Sequence, residues 1–579
     1  MWLLDLQRTP RLILICVMLG VIGALGAQVF LLLLHVFDTY VLAALGGYQT
    51  IDVRTAHAMA EAPRPFTHWY WWMPLSTTLG GLAAGLLIYG LAPETEGHGT
   101  DATLIAFHRN NGRMRARVPF VKTLASAITI GTGGSGGREG PTAQIASGAG
   151  AIIAHLFKLP DDERRIVILI GMAAGLSAIF KSPLGTAIFA VEILYSRMAF
   201  EGAALIFTLI SAAIAYSITG LFSGYTPLFL LSESSRELNP LDLVWFSLLG
   251  VLAGAVGALM PKIYYGVRDW FVALKVPRAI KPAIGGLAVG LIGIAAPPII
   301  GGGYGHMQLV LQGGSGLTVW VLLLFTFGKI LTLSLTVGSG GSGGVFGPTL
   351  YVGVMLGGAF AGFLHLLHID IDGSWLAVVG MAAVFAGTAR VPIAAMVMVI
   401  EMTGGFTLIM PTMLAVAIAF LVQLLLSRHA RYPTIYECQA RTPADSPIYS
   451  ELFYQTAAEL LRRQRVHLDR DILDNELQAS LDRGEGIGLR LRQERLYRLA
   501  MPAGSPVAGR DLRSLGLGEM GALVVGVIRG EGDVIPNGDT RLQVHDGLLV
   551  VATDEGIEKL RALVEPPQAA DAASDTSQG

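Results

Sequence analysis

A nine-residue segment occurs twice in this chain of 579 residues. Residues 134–142 read G-S-G-G-R-E-G-P-T and residues 341–349 read G-S-G-G-V-F-G-P-T, so seven of nine positions are identical at an offset of 207. A second match lies at an offset of 209, where Pro183 and Glu192 correspond to Pro392 and Glu401. Two copies of one module have therefore been joined, and the fold must contain two related units.

The composition places this repeat in a membrane. Hydrophobic residues make up 53% of the chain and charged residues 15%, whereas soluble domains carry roughly 25% charged residues. The charges are uneven, because 44 of the 84 lie in the first 430 positions and 40 in the last 149. We therefore expect a polytopic membrane domain followed by one small soluble domain, and not a water-soluble enzyme of this size.

Net charge, cysteine content and motif spacing exclude several other classes of protein. The formal net charge is -2, which gives no indication of a nucleic-acid partner. Cys16 and Cys438 are the two cysteines, and Cys16 lies in an apolar run, so a disulfide framework is excluded. Metal-ligand spacing does not appear, and we expect neither a metal nor a cofactor.

The apolar runs differ in length. Some reach the roughly 20 residues that a spanning helix needs, and these are 12–37, 205–221, 243–260, 317–337 and 407–426. Others are shorter and bounded by Gly or Pro, namely 142–157, 166–180, 184–194, 350–365 and 393–402. Broken helices are tolerated at membrane depth only where protein or a watery cavity surrounds them. The pattern therefore predicts an interior pathway.

The first run, 12–37, is too long for the apolar part of a signal peptide and lacks a convincing cleavage site. We interpret it as the first membrane helix, with Arg8 and Arg11 holding the N-terminus in the cytoplasm.

Each copy of the repeated segment contains a Gly-Pro pair that can open a helix. Helix N-termini carry amide groups without an intrahelical acceptor and a positive dipole end. The amides of Glu139 and Gly140 in one copy, and of Val345 to Gly347 in the other, would then face a common site. Two such ends in a low-dielectric interior favour an anion. The alternative is that the glycines merely permit close helix packing.

Glu139 is the strongest candidate for a functional residue. A carboxylate inside a membrane protein is costly and usually functional, and the repeat counterpart of this one is Phe346. Its carboxylate could occupy the anion site in place of the transported ion, and protonation would release it. The alternative is a surface ion pair with the adjacent Arg138.

These residues resemble the CLC family of chloride channels and transporters over roughly residues 12–440. Residues 137–141 (G-R-E-G-P) resemble the family's gating-glutamate motif, residues 344–348 (G-V-F-G-P) its G-x-F-x-P motif, and residues 182–192 (S-P-L-G-T-A-I-F-A-V-E) the helix N/S-x-P-L-A-G-x-x-F-x-x-E. The resemblance implies a homodimer with one anion pathway in each subunit, between two inverted-topology halves. It also implies a multi-pass protein of a bacterial inner membrane with both termini in the cytoplasm.

The resemblance implies roles for individual residues. Glu139 would be the external gate, and the amides of Val345 and Phe346 would hold the central anion. Tyr436 would contribute a hydroxyl from the last membrane helix. Lys122, 17 residues before Glu139, resembles a basic residue that the family keeps near the pathway.

Two departures from the family pattern affect the expected mechanism. The family's G-S-G-I-P motif corresponds here to residues 97–101, G-H-G-T-D, so His98 takes the position of the anion-binding serine and puts anion selectivity in question. An incidental loop histidine is the alternative. Proton exchangers usually carry a second glutamate after the one at Glu192, but this chain has Ile193, and an aliphatic side chain cannot relay a proton.

We therefore expect a chloride channel, voltage-gated or pH-gated, with a chloride/proton antiporter as the alternative. Glu192 and Glu401 are interpreted as helix-end residues hydrogen-bonded to nearby backbone, with a transport role as the alternative. An intramembrane enzyme using Glu139 and His98 is disfavoured, because no nucleophile and base appear together. A receptor would not need a duplicated core of broken helices.

The last part of the chain has a different pattern. Residues 522–529 and 542–552 are strand-like, and a turn-rich stretch separates them. The stretch from R-D-L-R-S-L-G-L to D-G-L-L-V-V resembles the TrkA-C (RCK-C) regulatory domain of potassium-conductance regulators. Such domains often dimerise and bind small ligands, including cyclic dinucleotides, so ligand sensing and structural dimerisation are both open.

These patterns predict an all-α membrane domain of two inverted repeats with broken helices and a small cytoplasmic α+β domain. The expected boundaries are a membrane domain over residues 1–440 with repeats at about 70–225 and 240–430, a helical linker over 441–490, a regulatory domain over 491–565 and a disordered tail over 566–579.

Overall fold

The computed structural model describes residues 8–44, 47–51, 53, 70–231, 238–313, 316–441, 446, 487–488, 495–517, 520–529 and 536–565. The chain divides into two compact units, Met1–Pro443 and Ala444–Gly579. The first unit is helical and the second is a small α+β domain, as predicted. The expected linker over 441–490 lies almost wholly outside the described residues, and the expected tail over 566–579 lies entirely outside them.

The first half of the membrane unit is a series of long and short helices. They are α1 (Arg8–Phe37), α2 (Met73–Leu91), α3 (Thr100–His108), α4 (Val118–Gly131), α5 (Glu139–Leu156), α6 (Asp161–Phe180), α7 (Pro183–Glu192) and α8 (Gly202–Ser223). The second half has a similar pattern, in which the longest helix again comes first and the two shortest are again the third and the seventh. Its helices are α9 (Asp242–Ala273), α10 (Lys281–Ala295), α11 (Tyr304–Leu311), α12 (Val319–Gly338), α13 (Phe346–Leu366), α14 (Gly373–Ala389), α15 (Pro392–Thr403) and α16 (Ile409–Leu426).

Among the described residues, eight helices are long and apolar enough to cross a membrane. Two of them, in the regions of α2 and α10, have lower mean hydropathy, 1.3 and 1.4, and the apolar-run pattern missed both. Their glycines depress hydropathy while allowing close contact. A Cβ on Gly81 of α2 would lie 2.2 Å from the carbonyl oxygen of Pro282 in α10, so these two helices touch backbone to backbone.

Three helices extend well beyond the apolar runs that predicted them. Run 166–180 belongs to the 20-residue α6, because its first turn carries acidic residues that suit a helix N-terminus but not a hydropathy count. Run 350–365 belongs to the 21-residue α13, which begins within the glycine motif. Run 243–260 continues past Pro261 to the end of α9, since membrane helices accommodate proline where neighbours satisfy the freed backbone.

The centre of the unit is formed by α6 and α14, which are buried around their whole circumference. In α14 every residue from Ser374 to Ala389 is buried, which is the pattern of a helix enclosed by others. The outer helices instead expose large apolar side chains, such as Leu221 of α8 and Leu425 of α16. This is the arrangement that a lipid environment requires.

The C-terminal unit contains, within its described residues, an antiparallel sheet in the order β1-β2-β4-β3. The strands are β1 (Ile487–Gly488), β2 (Arg495–Ala500), β3 (Ala522–Ile528) and β4 (Gly547–Ala552), and α17 (Asp554–Val564) follows. The prediction for 522–529 is confirmed by β3. The prediction for 542–552 was too long, because Asp546 is buried in an ion pair with Arg529 (2.7 Å) and accepts the amide of Gln543, which makes a turn before the strand.

Candidate anion-binding site

The two copies of the repeated segment meet in the interior. The amide of Gly137 donates to the carbonyl of Gly344 and the amide of Gly344 donates to the carbonyl of Gly137, both at 2.7 Å. These bonds bring the N-termini of α5 and α13 together. Both helices begin two residues before their proline, at Glu139 and Phe346, so each proline lies in the first helical turn, as predicted. Proline remains tolerated there because the amides of the first turn have no intrahelical acceptor.

The loop before α3 completes this meeting point. The amide of Gly97 donates to the carbonyl of Gly341 at 3.0 Å, and the amide of Gly343 donates to the carbonyl of Gly97 at 3.3 Å. Gly99 has a φ of +84°, a conformation that favours glycine, and the chain turns there into α3. The two hydrogen bonds hold the loop containing His98 against the segment that leads into α13. The loop also touches the first turn of α5, because a Cβ on Gly140 would lie 2.0 Å from the carbonyl oxygen of His98.

The side chain of Glu139 is fully buried. Glu139 begins α5, but its carboxylate lies at the N-terminus of α13, the corresponding helix of the other repeat. Its Oε2 accepts a hydrogen bond from the amide of Gly347 in α13 at 3.2 Å, and its Oε1 accepts one from the hydroxyl of Tyr304. The carboxylate thus lies where the sequence predicted an anion. Arg138 does not form the alternative ion pair with Glu139, because its guanidinium lies over the ring of Tyr304, 4.4 Å from the centroid.

His98 and Tyr436 also come together. Both side chains are buried, and their rings meet edge to face with centroids 5.4 Å apart. Nε2 of His98 lies 3.1 Å from a carboxylate oxygen of Asp101. The other oxygen of Asp101 accepts the amide of Cys438 at 3.3 Å, so the segment containing Tyr436 is tied to the first turn of α3.

Lys122 supports the loop that contains His98. Its buried ammonium donates to the carbonyls of Thr95 at 3.0 Å and Gly97 at 2.8 Å. Lys329 has the same arrangement in the second repeat, where it donates to the carbonyls of Ile299 at 3.1 Å and Gly301 at 2.6 Å. The two lysines therefore each hold the loop that precedes a short helix, α3 or α11.

The sequence reasoning missed Lys329 and Tyr304. Lys329 lies 207 positions after Lys122, which is the offset of the repeated segment itself. Applying that offset to every charged residue would have found it. Tyr304 has no comparable signal, because the residue 207 positions earlier is Gly97 and its partner Glu139 has no counterpart carboxylate. Only the packing of α11 against the first turn of α5 identifies it.

Glu192 and Glu401 bind the backbone of each other's repeat. Glu192 accepts the amides of Ile393 at 3.2 Å and Ala394 at 2.7 Å, at the N-terminus of α15. Glu401 accepts the amide of Gly185 at 2.9 Å and the hydroxyl of Ser182 at 2.5 Å, at the N-terminus of α7. Both glutamates are hydrogen-bonded to backbone as predicted, but the donors belong to the other repeat and not to neighbouring residues. Each carboxylate compensates a positive helix end. Ile193, the next residue, is buried.

Replacing Glu192 by alanine should lower the free energy of unfolding by about 2 kcal/mol, because the buried amide of Ala394 and the half-buried amide of Ile393 lose their acceptor. Glu192→Gln keeps one acceptor oxygen and should lose less. Thermal unfolding of the purified protein in detergent measures both changes, and anion flux of the glutamine variant should stay near that of the wild type. An alanine variant that melts with the wild type would contradict this structural role.

A bundle of apolar helices in which two repeat-related helix N-termini meet around a buried carboxylate defines a membrane anion-transport protein. Comparison with known families agrees with this class. The model described as voltage gated chloride channel matches residues 80–424, and the TrkA-C domain model matches residues 496–565. The chain belongs to the voltage gated chloride channel (CLC) family, and its C-terminal unit contains a TrkA-C domain.

Individual relatives agree with the family. The voltage-gated ClC-type chloride channels ClcB of Escherichia coli O9:H4 (strain HS) and of Shigella flexneri are each 32% identical over 370 residues, which is 62% of this chain and 86% of theirs.

Solved structures agree with the fold. A slow cyanobacterial Cl-/H+ antiporter has a TM-score of 0.62 at 24% identity and covers 78% of this chain and 98% of its own. A CLC-type fluoride/proton antiporter has a TM-score of 0.62 at 20% identity and covers 76% and 99%.

Proposed function

We propose that this protein moves chloride across a bacterial inner membrane, through one pathway in each subunit of a homodimer, with Glu139 as the gate. The hydrogen bond from the Gly347 amide to the buried carboxylate of Glu139 carries this proposal. The carboxylate occupies the positive end of α13 as an anion would, so a chloride can replace it when it is protonated or moves away. Both termini are proposed to lie in the cytoplasm.

The other site residues have supporting roles in this proposal. Gly140, Val345 and Phe346 lie at the N-termini of α5 and α13. Their amides are hydrogen-bond donors for the anion. His98 and Tyr436 form the next position along the pathway. Lys122 and Arg138 contribute positive charge. Lys122 also holds the loop that contains His98, and Arg138 lies over the ring of Tyr304.

We favour a gated channel over an exchanger, because Ile193 stands where a proton-transferring glutamate would be needed and an aliphatic group cannot carry a proton. A chloride/proton antiporter is the second candidate. It is supported by Glu139, whose carboxylate lies in the anion's place and would link each opening to a protonation.

The TrkA-C domain is proposed to regulate the pathway, either by binding a small ligand such as a cyclic dinucleotide or by stabilising the dimer. Isothermal titration of the full chain with cyclic dinucleotides separates these alternatives. Nucleotide binding together with a change in chloride flux supports regulation by a ligand. If nucleotides have no effect and removal of the TrkA-C domain abolishes the dimer, the structural role is supported.

The reversal potential of chloride current in liposomes tests the proposed function. With a chloride gradient and equal pH on both sides, the purified protein should pass chloride while protein-free liposomes do not. A reversal that stays at the chloride equilibrium potential when a proton gradient is added supports the channel. Displacement by the proton gradient supports the antiporter, and the absence of anion flux at every pH would refute anion transport.

A further inference from the structure

We propose that the site formed by His98, Asp101 and Tyr436, called here the His98 site, binds its anion only together with a proton held by the His98–Asp101 pair. The inference rests on the proposed function, since it concerns one position of the same anion pathway. It assigns proton linkage to a residue that lies outside both the Glu139 gate and the position of Ile193.

The His98 site contains polar atoms that are buried without a partner. Nδ1 of His98 and the hydroxyl of Tyr436 make no hydrogen bond to any described residue, although Thr100 lies close to the hydroxyl. Both residues are less than 10% exposed, and their rings are in contact. Leaving a buried polar group unsatisfied costs about 1–3 kcal/mol. Such atoms on adjacent rings indicate a position prepared for a ligand that accepts hydrogen bonds.

Asp101 determines which nitrogen of His98 holds a proton in the neutral state. Its carboxylate oxygen lies 3.1 Å from Nε2, and the amide of Cys438 donates to its other oxygen, so the carboxylate is held in place. A carboxylate accepts hydrogen bonds and favours the proton on Nε2. Nδ1 then presents a lone pair, which repels an anion.

One additional proton converts the site from repelling to attracting. With the proton on the imidazole, Nδ1 becomes a donor and the ring carries a positive charge. If Asp101 carries the proton instead, it donates to Nε2 and the ring proton moves to Nδ1, which again becomes a donor. Both arrangements contain the same number of protons, so anion binding requires one proton on the pair whichever residue holds it.

Other titratable and charged groups surround this pair. They are Arg109 at the end of α3, Glu96 and Lys122, Glu139 of α5, Tyr264, Tyr265 and Arg268 of α9, and Tyr436, Glu437 and Cys438 of the last segment. Arg268 is paired with Glu437, and Lys122 is bound to two carbonyls. Glu139 adds a second pH dependence, because its carboxylate competes with the anion unless it is protonated. The test therefore removes that carboxylate.

The test measures chloride binding by isothermal titration to the full-length protein carrying Glu139→Gln. We expect the dissociation constant to rise roughly tenfold per pH unit once the pair has lost its proton, which is the slope for one linked proton. In weakly buffered solution, chloride addition should also cause proton uptake, which approaches one proton per bound anion at pH values where the free pair has lost its proton. An affinity that is equal at pH 5.5 and pH 8.0 in this variant, together with the absence of proton uptake on chloride binding, would overturn the inference.

Matched variants locate the proton. Adding His98→Ser supplies a hydroxyl donor without a titratable ring, and both the pH dependence and the proton uptake should disappear. His155→Ser at the exposed end of α5 should change neither measurement. Proton uptake that persists in the His98→Ser variant would contradict the assignment.

The outcome is independent of the test of the proposed function. If liposomes show no anion flux under any condition, anion transport itself fails. If chloride flux is present but binding to the Glu139→Gln protein does not depend on pH, only the role of the His98 site fails. The titration of the Glu139→Gln protein alone decides this, even if the His98→Ser variant does not fold.

Discussion

Replacing Glu139 by alanine should raise chloride flux at pH 7.5 by about tenfold or more and should remove most of the pH dependence that the gate causes. Hydrogen bonds to a charged group contribute about 1.5–3 kcal/mol, and each 1.4 kcal/mol corresponds to a tenfold change in occupancy. The carboxylate has two such bonds, from the Gly347 amide and the Tyr304 hydroxyl. Removing it leaves the end of α13 free for an anion, and chloride efflux from liposomes across a pH series measures the effect.

Tyr304→Phe provides a graded comparison. It removes one donor and leaves the Gly347 bond, so its flux at pH 7.5 should lie between those of the wild type and the alanine variant. Arg138 lies over the ring that both Tyr and Phe provide, which keeps that contact. If Glu139→Ala passes chloride at the wild-type rate with an unchanged pH profile, the carboxylate is not the gate.

Replacing Gly140 by alanine should prevent the membrane unit from folding normally. A Cβ at this position would lie 2.0 Å from the carbonyl oxygen of His98 and 3.0 Å from Cα of Gly344. Both neighbours are backbone atoms of the hydrogen-bonded loops, so neither can move without breaking the junction of the two repeats. We expect a loss of about 3 kcal/mol or more in the free energy of unfolding, at the upper end for overpacking.

Gly90→Ala is the matched control, because a Cβ there meets no atom within 4 Å. Gly90 lies in α2, and alanine in a helix is favoured over glycine by about 0.5–1 kcal/mol. Its thermal unfolding midpoint should therefore equal or exceed that of the wild type, while Gly140→Ala should give little monodisperse protein on size exclusion. Normal yield and melting of the Gly140 variant would show that the two helix ends are not in such close contact.

Much of the architecture could be predicted from residue patterns. The repeated segment located both helix ends of the site, and the buried position of Glu139 between them agrees with the expectation of a carboxylate in the anion's place. The apolar runs missed α2 and α10, because a glycine-rich helix has low hydropathy even when it spans a membrane. Strand β2 and helix α17 of the TrkA-C domain were also missed.

Contacts between the repeats could not be predicted in the same way. Glu192 was expected to bond nearby backbone, but its donors belong to α15, about 200 positions later in the chain. The partner of Glu139 in the second repeat, Tyr304, has no counterpart in the first. Inverted repeats place helix ends face to face, and the resulting pairs depend on how two surfaces pack rather than on spacing along one helix.

The sequence by itself determined that this protein is a duplicated membrane anion-transport unit with a small soluble domain, because apolar length, glycine placement and motif identity are properties of local segments. Only the tertiary structure decided which groups meet between the two repeats. It placed the carboxylate of Glu139 against the amide of Gly347, and it joined His98 to Asp101 and Tyr436. The physical reason is that buried charges and unsatisfied amides find partners across the repeat interface, where low dielectric makes each pairing strong.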